Sequence, residues 1–177
     1  MKYQDCAEAM QAVEDWVGGE ASGAMRLADA NINPVTGLAT DYLNHFNEAI
    51  MLLEMLSGSP DCIADFLDWR PKNYREHFVA SRFKDRHMAV AAYDAASPSV
   101  RNCLDMLAET MTAVLEAAGA AMRSGLPEPA ARQLARQAVA ALKPLVARAG
   151  AVINGDAEAL AADASTPQAA VDRLLTR

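Results

Sequence analysis

From Ala95 onward the chain has no histidine, tryptophan, tyrosine or phenylalanine. Apart from Tyr3 and Trp16, every aromatic residue and all three histidines (His45, His77, His87) lie between Tyr42 and Tyr93. Chemistry that needs a titratable, metal-binding or stacking side chain must therefore draw on the stretch from 41 to 94. Glycine (9) and proline (8) are scarce and sit mostly at joints, which argues against disorder and against an all-β fold. The three cysteines, Cys6, Cys62 and Cys103, are odd in number, far apart and form no CxxC pair. That excludes a disulfide framework and fits free thiols in a reducing cytoplasm. No apolar run is long enough to span a membrane, and none near the start resembles a secretory leader. A cytoplasmic protein is expected.

Charge is plentiful but uneven. The net charge is −7. Residues 1–69 carry most of the acidic excess, with Lys2 and Arg26 as their only cations. Arg70, Lys72, Arg75, Arg82, Lys84 and Arg86 then form a short basic island, relieved only by Glu76 and Asp85. An acidic body discourages binding to long nucleic acid or anionic membrane. Tyr74, Phe78 and Phe83 are interleaved with the island, but their spacing is that of no nucleic-acid-reading motif. The expectation is that the island pairs with the protein's own acidic third, or with that of a second copy.

What the chain does have is helical periodicity. The pattern predicts an all-α, single-domain bundle of about six or seven helices. Helices are expected over about 3–17, 40–56, 60–69, 72–83, 85–96, 99–124, 128–153 and 167–175, with the segments 99–124 and 128–153 forming a long antiparallel hairpin. Tyr42, Phe46, Ala49, Leu53 and Leu56 recur at spacings of three and four, beside Leu43 and Ile50. Thr40 is placed to cap that helix, and Ser59-Pro60, Ser97-Pro98 and Thr166-Pro167 carry cap-and-proline signatures. Pro71 should end its helix at Trp69-Arg70. Pro144 lies inside a helical run, where it removes the partner of the Ala140 carbonyl, so a kink is expected. Asn31-Ile32-Asn33-Pro34 and Thr36-Gly37 are turn chemistry.

The sharpest local pattern is Asp41-x3-His45-x2-Glu48, which puts a carboxylate, an imidazole and a second carboxylate on one flank of one helix. On a helical wheel the three fall at the rim of the buried stripe. Carboxylate and imidazole on one helix face are how bundles build metal sites. A single face cannot enclose a metal, so His77, on a face shared with Tyr74, Phe78 and Ser81, is the candidate to complete a set with His45 and Glu48 around a divalent ion. The sequence falls short of the di-iron bundles, which use Glu-x-x-His where this chain has His45-x-x-Glu48. The plainer expectation is that Glu48 projects to water and His45 bonds to a backbone carbonyl. Nucleophile elbows, phosphate loops and dinucleotide fingerprints are all absent. The leading expectation is a non-enzymatic cytoplasmic protein acting through protein–protein contacts, as a homodimer. The alternative is a metal- or small-ligand-binding bundle using Asp41, His45, Glu48, Tyr74 and His77.

Overall fold

The computed structural model describes residues 20–56, 62–156 and 167–175. The expected helix over 3–17 and the Ser59-Pro60 cap lie outside these residues. Within them the chain is all-α, with eight helices, a 3-10 turn and no strand.

Helix α1 spans Glu20–Asp29 and is followed by a tight turn. There the Asn33 side chain accepts from the backbone N–H groups of Val35 (2.8 Å) and Thr36 (3.1 Å). Gly37 sits at φ +70°, and a Cβ there would meet the Ala92 carbonyl oxygen at 2.7 Å, so both conformation and space demand glycine. An isolated antiparallel bridge, Ile32 to Ala39, closes the turn. The Thr36 hydroxyl donates to the Ile153 carbonyl (2.6 Å) and satisfies one of the orphan acceptors at the end of a later helix.

The expected helix from Thr40 begins differently. Residues Thr40–Leu43 form the 3-10 turn, and α2 proper is Asn44–Met55. Thr40 is exposed and caps nothing, because the cap position falls on Ala39. Helix α3 is Cys62–Asp68, ending before Pro71 as expected. Helix α4, Tyr74–Ala80, starts with a reciprocal capping box between Asn73 and Glu76. Helix α5 is Arg86–Ala95. Helix α6, Pro98–Arg123, is capped by the Ser97 hydroxyl, with Pro98 in its first turn. Helix α7, Glu128–Ile153, runs unbroken through Pro144. Both Ala140 and Pro144 are exposed, so water can satisfy the carbonyl that Pro144 leaves without a donor. Helix α8 is Pro167–Leu175.

The 26-residue helices α6 and α7 pack on each other, α2 packs on α7, and α8 lies against both α6 and α7. Every described helix contributes to the buried cluster. The long helices supply mainly small and aliphatic residues, such as Leu104, Leu107, Met111, Ala118, Ala138, Leu142 and Ala149. The aromatic volume comes from the 3-10 turn, α2, α4 and α5, where Tyr42, Phe46, Tyr74 and Phe78 are almost wholly buried.

Candidate functional site

The connection from Trp69 to Asn73 lies outside the helices and is tied by backbone bonds only at its ends, Trp69 N–H to the Phe66 carbonyl (3.1 Å) and the Asn73 carbonyl from the His77 N–H (2.9 Å), while its middle lies across the start of α2. Three side chains fasten it there. The Trp69 ring stacks on the His45 imidazole, with centroids 4.7 Å apart and planes 22° apart, while its indole N–H donates to the His45 carbonyl (3.2 Å). The Nε2 of His45 accepts from the backbone N–H of Lys72 (3.1 Å), which places the imidazole proton on Nδ1. The Tyr42 phenol donates to the Lys72 carbonyl (3.1 Å). Ring contacts continue from Tyr42 to Tyr74 (5.2 Å) and from Tyr74 to Tyr93 (4.6 Å, nearly parallel). The Tyr74 hydroxyl accepts from the N–H of Ala39 (2.9 Å) and ties α4 to the 3-10 turn.

Burial governs the titration of this cluster. It lowers the His45 pKa to about 4, and the Lys72 ammonium and His77 push in the same direction. His77 is also lowered by burial and then by Lys72, while the Asp41 carboxylate, the Asp41 backbone and Glu48 pull back. Burial raises Tyr42 and Tyr74 above the ordinary phenol value. Both histidines are therefore neutral at pH 7, and both phenols keep their protons.

The structure corrects the placement of the Asp41, His45 and Glu48 trio. Asp41 is half-buried and Glu48 is exposed, but His45 is only 3% accessible, under Trp69 rather than at a rim. His45 accepts from a backbone N–H rather than donating to a carbonyl, the reverse of the expected polarity. His45 and His77 do come together, with ring centroids 5.9 Å apart, and Tyr42 touches His77 (5.6 Å). Among the described residues, however, no group of three or more histidine, cysteine, aspartate or glutamate side chains is placed to hold a metal ion. The expected set of His45, Glu48 and His77 is not assembled here: the Nε2 lone pair of His45 accepts from Lys72, and Glu48 is exposed. Tyr74 is 1% exposed and serves the core. His87 is exposed on α5.

Two accessible features lie at or beyond the edge of that cluster. One is the outer edge of α2, where Met51 (52% exposed) and Met55 (47%) stand one turn apart beside the exposed Glu48. The other is a cleft of about 420 Å³ between the start of α4 and the middle of α6, walled by Tyr42, Lys72 and Arg75 on one side and Tyr93, Asp105 and Glu109 on the other. Tyr93 donates to the Asp105 carboxylate (2.7 Å), and burial together with that carboxylate pushes its pKa up to about 12. The sequence carried a trace of this second wall. Asp105-x3-Glu109-x2-Thr112 repeats the spacing of Asp41-x3-His45-x2-Glu48 on the helix with the clearest buried face.

Among the described residues the basic island makes no ion pair with the chain's own acidic third. Arg75 binds Asp94, and Arg70 donates to the carbonyls of Leu67 and Trp69. Arg82, Lys84 and Arg86 are exposed and make no ion pair among the described residues. No described helix is long and apolar enough to cross a membrane. In comparisons with known proteins the chain matches no family model, no curated protein and no solved structure, so any functional reading has to come from its own residues.

Proposed function

We propose that this protein acts without catalysis, through contact with a second copy of itself along the outer edge of α2. One observation carries the reading: Met51 and Met55 are about half exposed and adjacent on one helix, at positions where a solvated helix would place polar residues. Methionine is flexible and polarizable, which suits an adaptable contact surface. Charge supports the same occupant. The α2 edge carries Glu48, and nearby α3 exposes Asp65 and Asp68, while Arg82, Lys84 and Arg86 are left without ion pairs among the described residues. A two-fold arrangement would let each copy offer both signs to the other, with the apolar methionines supplying most of the attraction and the charges setting orientation.

Light scattering on the eluting protein tests this. The expected result is a dimer at about 100 µM that weakens as salt rises, and a monomer for the Met51→Glu/Met55→Glu double variant with unchanged helical circular dichroism. A wild-type protein that stays monomeric at that concentration, or a double variant that still dimerises, would refute it.

A further inference from the structure

The cleft between α4 and α6 brings charges of opposite sign face to face without letting them neutralise one another. Most of its polar groups are already committed. The Arg75 guanidinium is bound to Asp94 (2.8 Å) and lies over the Tyr93 ring (4.9 Å). The Glu76 carboxylate accepts from the Asn73 N–H (2.9 Å) in the capping box. The Tyr42 phenol is held by the Lys72 carbonyl. Besides the second oxygen of Glu76, three groups remain available. The Lys72 side chain on one wall and Glu109 on the other are exposed and make no ion pair or side-chain hydrogen bond among the described residues. Asp105 accepts from the Tyr93 hydroxyl at both oxygens (2.8 and 2.7 Å) and keeps further lone pairs. Asp105 and Glu109 are four residues apart on α6, so they are neighbours on one face, and Thr112 extends that row by a hydroxyl.

From this arrangement we infer that the cleft binds a small zwitterion, with its ammonium group against Asp105 and Glu109 and its carboxylate against Lys72. Two carboxylates one helical turn apart repel each other, and an ammonium with three donors relieves that repulsion while satisfying both. A lone lysine opposite them matches one carboxylate and no more. A phosphorylated ligand would bring at least one surplus negative charge to the Asp105–Glu109 wall, and a simple diamine would set a second cation against Lys72. The volume of about 420 Å³ falls in the range of small-molecule sites, and the largely buried Tyr42 and Tyr93 line it between the two charged walls. The site shares no residue with the α2 edge, so it stands or falls separately from self-association.

The test uses the full chain and a graded set of probes: glycine, β-alanine, 4-aminobutanoic acid and 6-aminohexanoic acid. These separate the same two charges by increasing lengths. Titration calorimetry should find saturable binding of at least one member with Kd below about 1 mM. Its N-acetyl and its carboxamide derivatives should each bind about tenfold more weakly, because each lacks one charge-assisted contact. Glu109→Gln and Lys72→Met should each weaken the best probe by about the same factor, and their exposed positions should leave the helical circular dichroism unchanged. Tyrosine-ring resonances of the wild-type protein supply a readout that needs no variant, since the best probe should shift those of Tyr42 and Tyr93. The inference is overturned if no probe saturates up to about 10 mM, if the singly charged derivatives bind equally well, if both variants bind as wild type, or if binding leaves the Tyr42 and Tyr93 rings unmoved.

Discussion

Acid should destabilise this protein through one imidazole. His45 is 3% exposed, stacked on Trp69 and holding the Lys72 N–H with Nε2. Protonating Nε2 would set a donor against a donor and add a cation beside the Lys72 ammonium. Its pKa in the folded protein is accordingly about 4, against 6.5 for a free histidine. Above pH 6.5 the imidazole is neutral in folded and unfolded chains alike and contributes no pH dependence. Between 6.5 and 4 the unfolded chain takes up a proton that the folded one refuses, so stability falls as pH falls. Below 4 both forms are protonated and the loss is complete. The difference between the two pKa values corresponds to about 3 kcal/mol. His77 is shifted in the same direction and adds to the loss. The measurement is the urea midpoint from pH 7.5 to 3.5 for wild type and for His45→Gln, whose amide oxygen can still accept from Lys72 but does not titrate. Carboxylates titrate in both proteins and cancel in the comparison. The variant should be less stable at pH 7.5 and should lose about 3 kcal/mol less on acidification. In a Trp16→Phe background, Trp69 fluorescence should be quenched by the imidazolium with a midpoint near pH 4. Equal acid sensitivity of wild type and variant, or a fluorescence midpoint near 6.5, would refute the account.

Three further outcomes follow from the packing. Phe46→Ala should cost about 3–5 kcal/mol in urea unfolding, because Phe46 is fully buried and its removal leaves a large cavity. Tyr74→Phe should cost about 1–3 kcal/mol, because the buried Ala39 N–H then loses its acceptor, and amide hydrogen exchange at Ala39 should speed up. Gly37→Ala should lower the thermal midpoint by the equivalent of more than about 1 kcal/mol, since φ is +70° and the new methyl would meet the Ala92 carbonyl; a neutral result there would mean that the turn can shift away from α5.

Helical periodicity carried most of the fold. Along α6, the spacing puts Val100, Cys103, Leu104, Leu107, Met111, Val114, Ala118 and Ala121 on one face, and all are buried except the half-buried Cys103 and Ala121, because a long helix packed on one side makes burial a direct function of angle. Short elements were less legible. Thr40–Leu43 winds as a 3-10 turn with about three residues per turn rather than 3.6. Nothing in its composition separates it from the helix that follows. The Asn73 to Glu76 capping box has a readable signature, and it starts α4 at Tyr74, two residues after the expected Lys72. His45 was misplaced for a different reason. A helical wheel shows which residues share a flank but not what covers that flank, and here Trp69 and Lys72, more than twenty residues away, cover it. The cleft escaped because its two walls belong to helices separated by some thirty residues, so neither wall is a pattern by itself.

The uneven chemistry of the chain then has a structural cause. A buried imidazole, indole or phenol is tolerable only when its polar atom is hydrogen-bonded. In the stretch from Tyr42 to Tyr93 these polar atoms span sequence gaps of 12 to 35 residues. Tyr42 and His45 hold the backbone of Lys72, Trp69 holds that of His45, Tyr74 holds that of Ala39, and Tyr93 holds the carboxylate of Asp105. Aliphatic side chains could fill the same volume but could not satisfy the N–H and carbonyl of Lys72, which lie between helices and are held by His45 and Tyr42. The long helices α6 and α7 need no such fasteners, because their amides are satisfied internally, and that is where aromatic residues and histidine are missing. Residues that look reactive in the sequence are thus spent on holding α2, α4 and α5 in register. The same fastening brings Lys72 to the rim of the cleft: if His45 and Tyr42 fix its backbone, then His45→Gln should leave zwitterion binding intact, whereas His45→Ala, which frees the Lys72 N–H, should weaken it without touching a charged group. Equal binding by both variants would separate the brace from the cleft.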